Sequence, residues 1–300
     1  MASARRFLSQ MIDYAGLFPP ARLSMLATVT NYDDYRRGED RGLLGRLIVP
    51  ADRLEEFGSV AKSFLSRETN ADPWRLSVIA SGDLAATRQA LLEFNCGHWR
   101  GSANGHASVD SVEIAVRDQA ELDAAAVAFP GFVEVFLEIP VEPDPEPLVE
   151  SIATAGARAK IRTGGTSPEK FPDAPAVARF IATCRRHGVK FKATAGLHHP
   201  VKGLYPLTYE IGSQVSAMFG FLNLLVAAGF ILGGLDEAVA TGVLEENDAR
   251  ALRFDDDGVE WKGHRADAAS LHAARHNLAL SFGSCSFDEP VVEARLLGFL

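Results

Sequence analysis

The sequence predicts an α/β fold, a (β/α)8 TIM barrel with a helical insertion between its seventh and eighth strands. Short runs rich in Val, Ile, Leu and Phe recur eight times, most of them ending near a polar or Gly/Pro cluster and leading into helix-like sequence, which is the alternation of parallel βα units. From the second run to the seventh, successive runs lie some two to three dozen residues apart, the length that a strand, a helix and two connecting loops require. A chain of 300 residues suits one such barrel, which takes about 250 residues plus insertions.

MIDYAG around Ile12 supplies the first strand and GRLIVP around Leu47 the second, with a helix over 53–66 behind it. RLSVIA around Val78 and SVEIAV around Glu113 supply the third and fourth, followed by helices over 84–95 and 119–128. VEVFLEI around Phe136 is the fifth; VEPDPEP (141–147) after it reads as a rigid extended loop, since closely spaced prolines stiffen the chain. ARAKIR around Lys160 is the sixth, followed by a helix over 173–187, and VKFKATA around Lys192 is the seventh. The eighth, LALSFG around Ser281, comes far later, so residues 201–277 read as an insertion with helices over 209–231 and 267–276 and a small hairpin in FDDDGVEWKGH (254–264). The apolar stretch from Met218 to Leu232 is interrupted by Gly220, Asn223 and Gly229 and falls short of the roughly 20 residues that span a bilayer, so it reads as a buried helix. No boundary divides residues 1–300, which read as one domain.

Apolar residues make up 47% and charged residues 23%, enough to bury a large core and without the signature of disorder. A formal charge of -9 argues against nucleic-acid and anionic-membrane surfaces, which select clustered Lys and Arg. Small molecules are the expected partners, and a homo-oligomer stays open. Cys96, Cys184 and Cys285 are odd in number and widely spaced, which indicates neither a disulfide framework nor a zinc knuckle and fits a reducing, cytoplasmic setting. The opening MASARRFLSQMIDY has an Arg pair but no long apolar run behind it, unlike a secretory signal.

Barrel enzymes carry their reactive groups at the C-terminal ends of the strands, and this sequence places many charges there. Asp13 falls on the first strand, Glu113 on the fourth, Glu138 on the fifth, Lys160 and Arg162 on the sixth, and Lys190 and Lys192 on the seventh. Residues two apart share a strand face, so Lys160 pairs with Arg162 and Lys190 with Lys192. A lysine buried beside a second cation favours its neutral amine, which attacks carbonyls to form a Schiff base; Glu113, Glu138 or Asp13 would hold the second lysine and relay protons. The alternative is an ion-pair network that merely neutralises itself.

Several motifs resemble the deoxyribose-phosphate aldolases. KIRTGG (160–165) is similar to that family's lysine-plus-Thr-Gly signature, and VKFKATAG (189–196) to its second lysine strand. MIDYAGLFPP (11–20), VDSVEIAV (109–116), VFLEIP (135–140) and FGSCSF (282–287) resemble the family's first, fourth, fifth and eighth strands, in order. The resemblance implies a Schiff base on Lys160, Lys192 as the activating amine, Glu113 as the proton relay where the family has aspartate, and no metal or other cofactor. It further implies that Thr163 and Gly164 border the substrate and that the turn at Gly283 and Ser284 cradles an anion. Arg162, GLHHPV (196–201) and the insertion depart from the family; Arg162 suits an anionic substrate group, its alternative being a pair with Glu138. His198 and His199 follow the seventh strand and stand as substrate-binding or acid–base candidates. With Glu138 or Asp13 they would instead ligate a metal, giving a hydrolase. Cys285 stands where a catalytic thiol can sit, its alternative being inert packing. A barrel that binds ligand without chemistry is the third reading.

Overall fold

The computed structural model describes residues 7–300. Each of the eight apolar runs forms a barrel strand: β1 (Ile12–Tyr14), β2 (Leu44–Pro50), β3 (Trp74–Ile79), β4 (Ala107–Ala115), β5 (Glu134–Glu138), β6 (Arg158–Arg162), β7 (Phe191–Thr194) and, after five short strands outside the barrel, β13 (Ala279–Ser284). They pair in parallel in the order β1-β13-β7-β6-β5-β4-β3-β2 and close on themselves. The architecture is the (β/α)8 TIM barrel that the alternation implies.

Six helices follow the first six strands in turn: α1 (Met25–Arg37), α2 (Leu54–Ala61), α3 (Leu84–Gly97), α4 (Gln119–Ala126), α5 (Glu146–Ala155) and α6 (Ala174–Arg186). Asp83, Asp118 and Asp173 start α3, α4 and α6 by accepting hydrogen bonds from backbone amides of the first turn, which satisfies donors that the helix leaves free. Strand alternation divides each barrel strand: on β6, Ala159 and Ile161 are fully buried in the apolar layer, while Arg158, Lys160 and Arg162 form the other face.

Between β7 and β13 lie an antiparallel hairpin, β8 (Gly203–Pro206) with β9 (Val215–Met218), then α7 (Phe221–Leu232) and α8 (Glu237–Glu245). A three-stranded sheet of β10 (Arg253–Asp255), β11 (Gly258–Trp261) and β12 (His264–Asp267) and the helix α9 (Ala268–Asn277) complete the segment; α10 (Asp288–Leu296) follows β13. The helix expected over 209–231 therefore begins only at Phe221. A side chain at Gly220 would put Cβ 2.3 Å from Pro200 O, so the chain packs backbone to backbone there before the helix starts. The hairpin expected at 254–264 is a wider three-stranded sheet, and VEPDPEP is extended only in part: Pro145 and Pro147 flank the first residue of α5, where a proline costs no hydrogen bond. The helices α1, α5, α8 and α10 were not anticipated. No helix among the described residues is long and apolar enough to cross a membrane; the Met218 to Leu232 stretch supplies α7, buried from Phe221 to Ile231.

Candidate active site

Register builds the site. Glu138 on β5 lies opposite Lys160 on β6, Lys160 opposite Lys192 on β7, and Lys192 opposite Ser281 on β13, so four polar residues stand side by side in one row. On β4, Val109 and Ser111 face consecutive residues of β3, and the skipped residue, Asp110, makes a bulge. Beyond the bulge Ser111 and Glu113 bring polar groups to the same centre.

The result is one chain of alternating charge. Arg162 Nε donates to Glu138 Oε1 at 2.8 Å, and Glu138 Oε2 lies 2.8 Å from Lys160 Nζ. Lys160 Nζ lies 2.9 Å from Glu113 Oε2, while Glu113 Oε1 accepts from Lys192 Nζ at 2.6 Å and from Ser77 Oγ at 2.7 Å. Lys192 Nζ donates in turn to Asp13 Oδ2 at 2.6 Å, and that oxygen also accepts from Ser281 Oγ at 2.8 Å.

The two lysines differ in kind. Lys192 is fully buried and hydrogen-bonded to two carboxylates; burial disfavours its charge, but Asp13 and Glu113 outweigh that and raise its pKa. Lys160 meets its two carboxylates as ion pairs, and Glu113 Oε2 has no aligned hydrogen-bond donor. Burial pushes the Glu113 carboxyl up, yet Lys160 and Lys192 together hold it well below the usual carboxylate range. Glu138 follows the same balance with Lys160 and Arg162 and is also lowered.

Lys160, not Lys192, lines the cavity at this end of the barrel, which has a volume of about 560 Å³, the size of a small-ligand pocket. Glu113, Glu138, Arg162, His198, His199, Gly283 and Cys285 line it as well. Asp13 lies deeper, 1% exposed. Thr163 is fully buried, its hydroxyl donating to Ala195 O at 2.7 Å, and Gly164 packs so closely that a Cβ there would come within 2.9 Å of Gly196 Cα. These two lock the loop after β6 onto the loop after β7. Ser284 is buried, with Ser286 N donating to its Oγ at 3.3 Å. Lys190 precedes β7 and lines a separate depression with Glu134 and Arg158, away from Lys192.

The histidines part company. His198 Nδ1 lies 3.0 Å from Glu289 Oε2, and His199 Nδ1 lies 2.8 Å from Glu293 Oε2; His199 also stacks on Tyr205. Each is held by a different α10 glutamate. Among the described residues no group of three or more His, Cys, Asp or Glu is arranged to hold a metal ion. Lys170, Tyr209 and Glu289 line the cavity too and were not anticipated. They stand on loops, on the hairpin and on a helix, where strand periodicity carries no signal.

Fold and site define a (β/α)8-barrel protein with a lysine–carboxylate centre in a cavity lined by the C-terminal ends of its strands, where enzymes of this architecture do their chemistry. No protein-family model and no curated protein matches the chain.

Proposed function

We propose that the protein is a Schiff-base-forming lyase that makes or breaks a carbon–carbon bond beside a carbonyl in a small anionic substrate, with Lys160 as nucleophile. The observation that carries this reading is the division of labour between the lysines: Lys160 faces the cavity between two carboxylates, while Lys192 is sealed beneath it. The resemblance to the deoxyribose-phosphate aldolases supports the same assignment. Lys192, opposite Lys160 in the strand register, places a second cation beside the nucleophile. Glu113 or Glu138 takes the proton from the Lys160 ammonium; the amine adds to the carbonyl carbon, one nitrogen-bound proton passes to the oxygen, and the same carboxyl returns its own so that the oxygen leaves as water. The iminium so formed draws the electrons of the neighbouring carbon–carbon or carbon–hydrogen bond into an enamine, the α-proton of the latter passing to the carboxylate that has just given its proton up.

An anionic substrate end has two cations to meet. Arg162 uses Nε on Glu138 and keeps its other nitrogens for the cavity, with its side chain 47% exposed. Lys170 lines the same cavity and has no ion-pair partner among the described residues. The test is to incubate the protein with small aldehydes, ketones and oxo acids, reduce with borohydride, and map the adduct by mass spectrometry. An adduct on Lys160 that disappears in Lys160→Arg is expected. No adduct across the panel, or one confined to Lys170, overturns the reading.

A further inference from the structure

A second titratable cluster shares the cavity and stands on the segments that follow β7 and β13. His198 lies just beyond β7, Cys285 just beyond β13, Glu289 in the first turn of α10, and Tyr209 between β8 and β9; all four line the cavity. Glu289 Oε2 joins them, lying 3.0 Å from His198 Nδ1 and accepting from Tyr209 Oη at 2.9 Å. Cys285 Sγ lies 3.8 Å from both ring nitrogens, a weak sulfur contact to each. One imidazole nitrogen is therefore held by a carboxylate, and Nε2 has only the weak thiol contact, which a ligand oxygen can displace. That is the arrangement of a histidine oriented for proton transfer.

We infer that His198, oriented by Glu289, is the acid–base group for the acceptor half of the proposed reaction. The inference rests on the Schiff-base reading, because Glu113 and Glu138 serve the donor carbonyl at Lys160 and the acceptor oxygen needs a group of its own. In condensation the enamine electrons form the new bond to the acceptor carbonyl carbon, and the iminium at Lys160 is restored. The carbonyl electron pair moves onto oxygen, which takes the proton from His198 Nε2. Water then hydrolyses the iminium, and His198 regains its proton from solvent. In cleavage the β-hydroxyl gives its proton to His198 as the carbon–carbon bond breaks. The acceptor is a small aldehyde, and one that carries a carboxylate or phosphate has Arg162 and Lys170 to meet in the same cavity.

Donor and acceptor chemistry separate experimentally. With acetaldehyde or pyruvate in D2O, exchange of the donor carbon-bound hydrogens followed by NMR reports enamine formation at Lys160. Product formation with glyoxylate or glycolaldehyde phosphate reports the new bond, and the two acceptors distinguish a carboxylate from a phosphate preference. His198→Gln is expected to keep the borohydride-trapped adduct and the exchange of the wild type while bond formation falls at least about a hundredfold, the scale of general acid–base catalysis. Glu289→Gln is expected to give the same split with a smaller loss. Wild-type bond formation in His198→Gln overturns the inference, as does a parallel loss of exchange and bond formation, which marks a structural role. A wild-type protein that exchanges donor hydrogens but joins neither acceptor overturns it as well. Absence of any adduct in the wild type sinks the Schiff-base reading itself, a separate failure.

Discussion

Phe136 divides the barrel interior into two charge networks. Arg158 Cζ lies 5.6 Å from its ring centroid and Lys192 Nζ 5.4 Å. One network gathers at the N-terminal ends of the strands: Arg46 binds Asp110 at 2.6 Å and Glu134 at 2.8 Å, Arg75 binds Asp110 at 2.6 Å, and Arg158 binds Glu134 at 2.8 Å. The other is the lysine chain described above. The same strands feed both, since β4 carries Asp110 and Glu113, β5 Glu134 and Glu138, and β6 Arg158 and Lys160. Yet every cation of the basal network is a guanidinium, which keeps its proton at any ordinary pH, whereas the upper network centres on two amines. Buried charge marks both ends of this barrel; at the C-terminal end a lysine, Lys160, joins the network itself and faces the cavity between two carboxylates.

Exchanging one cation at each level is the sharpest way to break the comparison. Lys160→Met is expected to abolish the trapped adduct and lower turnover by at least about a thousandfold, since Lys170, another amine lining the cavity, lacks the flanking carboxylates that move the proton. Arg158→Met is expected to keep wild-type turnover, because Glu134 retains Arg46. Steady-state rates on any substrate that traps, with mass spectrometry of the adduct, decide it; equal losses in both would collapse the distinction.

Lys192→Met comes next and is read in stability. It strips two buried carboxylates, Asp13 and Glu113, of a shared partner, and breaking a buried pair on one side costs about 3–5 kcal/mol. Denaturant unfolding is expected to show a loss of that size. A Lys192→Met protein as stable as wild type would mean that the ammonium is not what holds the upper network together.

The networks also separate by pH. The Glu113 pKa is lowered by folding, so its contribution is present above the unfolded value of about 4.3 and is lost as pH falls through the folded value. Lys192 is raised, so its contribution is present below about 10.4 and is lost as pH rises through the folded value. Arginines supply no such alkaline limb. Melting temperature against pH is expected to hold between these limits and fall outside them, with the alkaline fall reduced in Lys192→Met. An alkaline limb unchanged by that substitution would assign it to other groups.

The barrel was legible because fully buried parallel strands leave apolar runs, and the spacing between runs fits one helix and its loops. The lysine centre was legible for a related reason, a charge inside such a run being conspicuous. Helices α1 and α10 left weaker traces: α1 carries Asn31, Asp33 and Asp34 among its apolar positions, and α10 is short, opens on Asp288 and Glu289 and buries just Pro290, Val291 and Ala294. Glu289 and Tyr209 acquire meaning only by meeting His198 from other segments, a coincidence in space that no local pattern encodes. Thr163 and Gly164 show the converse, standing in the most distinctive motif and being used for packing.

The smallest expected effect tests how tightly the upper network is shaped by backbone. Asp13 Oδ1 accepts from Arg46 N at 2.7 Å, so the carboxylate lies directly against β2. A Cβ on Gly45 would come within 2.3 Å of that oxygen, and the carboxylate would have to withdraw from the Arg46 amide or swing away from Lys192. Gly45→Ala is therefore expected to cost about 1–3 kcal/mol, the usual range for forcing a group into a packed interior. Gly82, where an added Cβ meets nothing within 4 Å, is the control, and Gly82→Ala is expected to leave the melting temperature unchanged. If Gly45→Ala lowers stability and Lys192→Met adds little on top of it, the two act through the same Asp13 contact. Fully additive losses would instead mean that Gly45 serves the strand and not the charge.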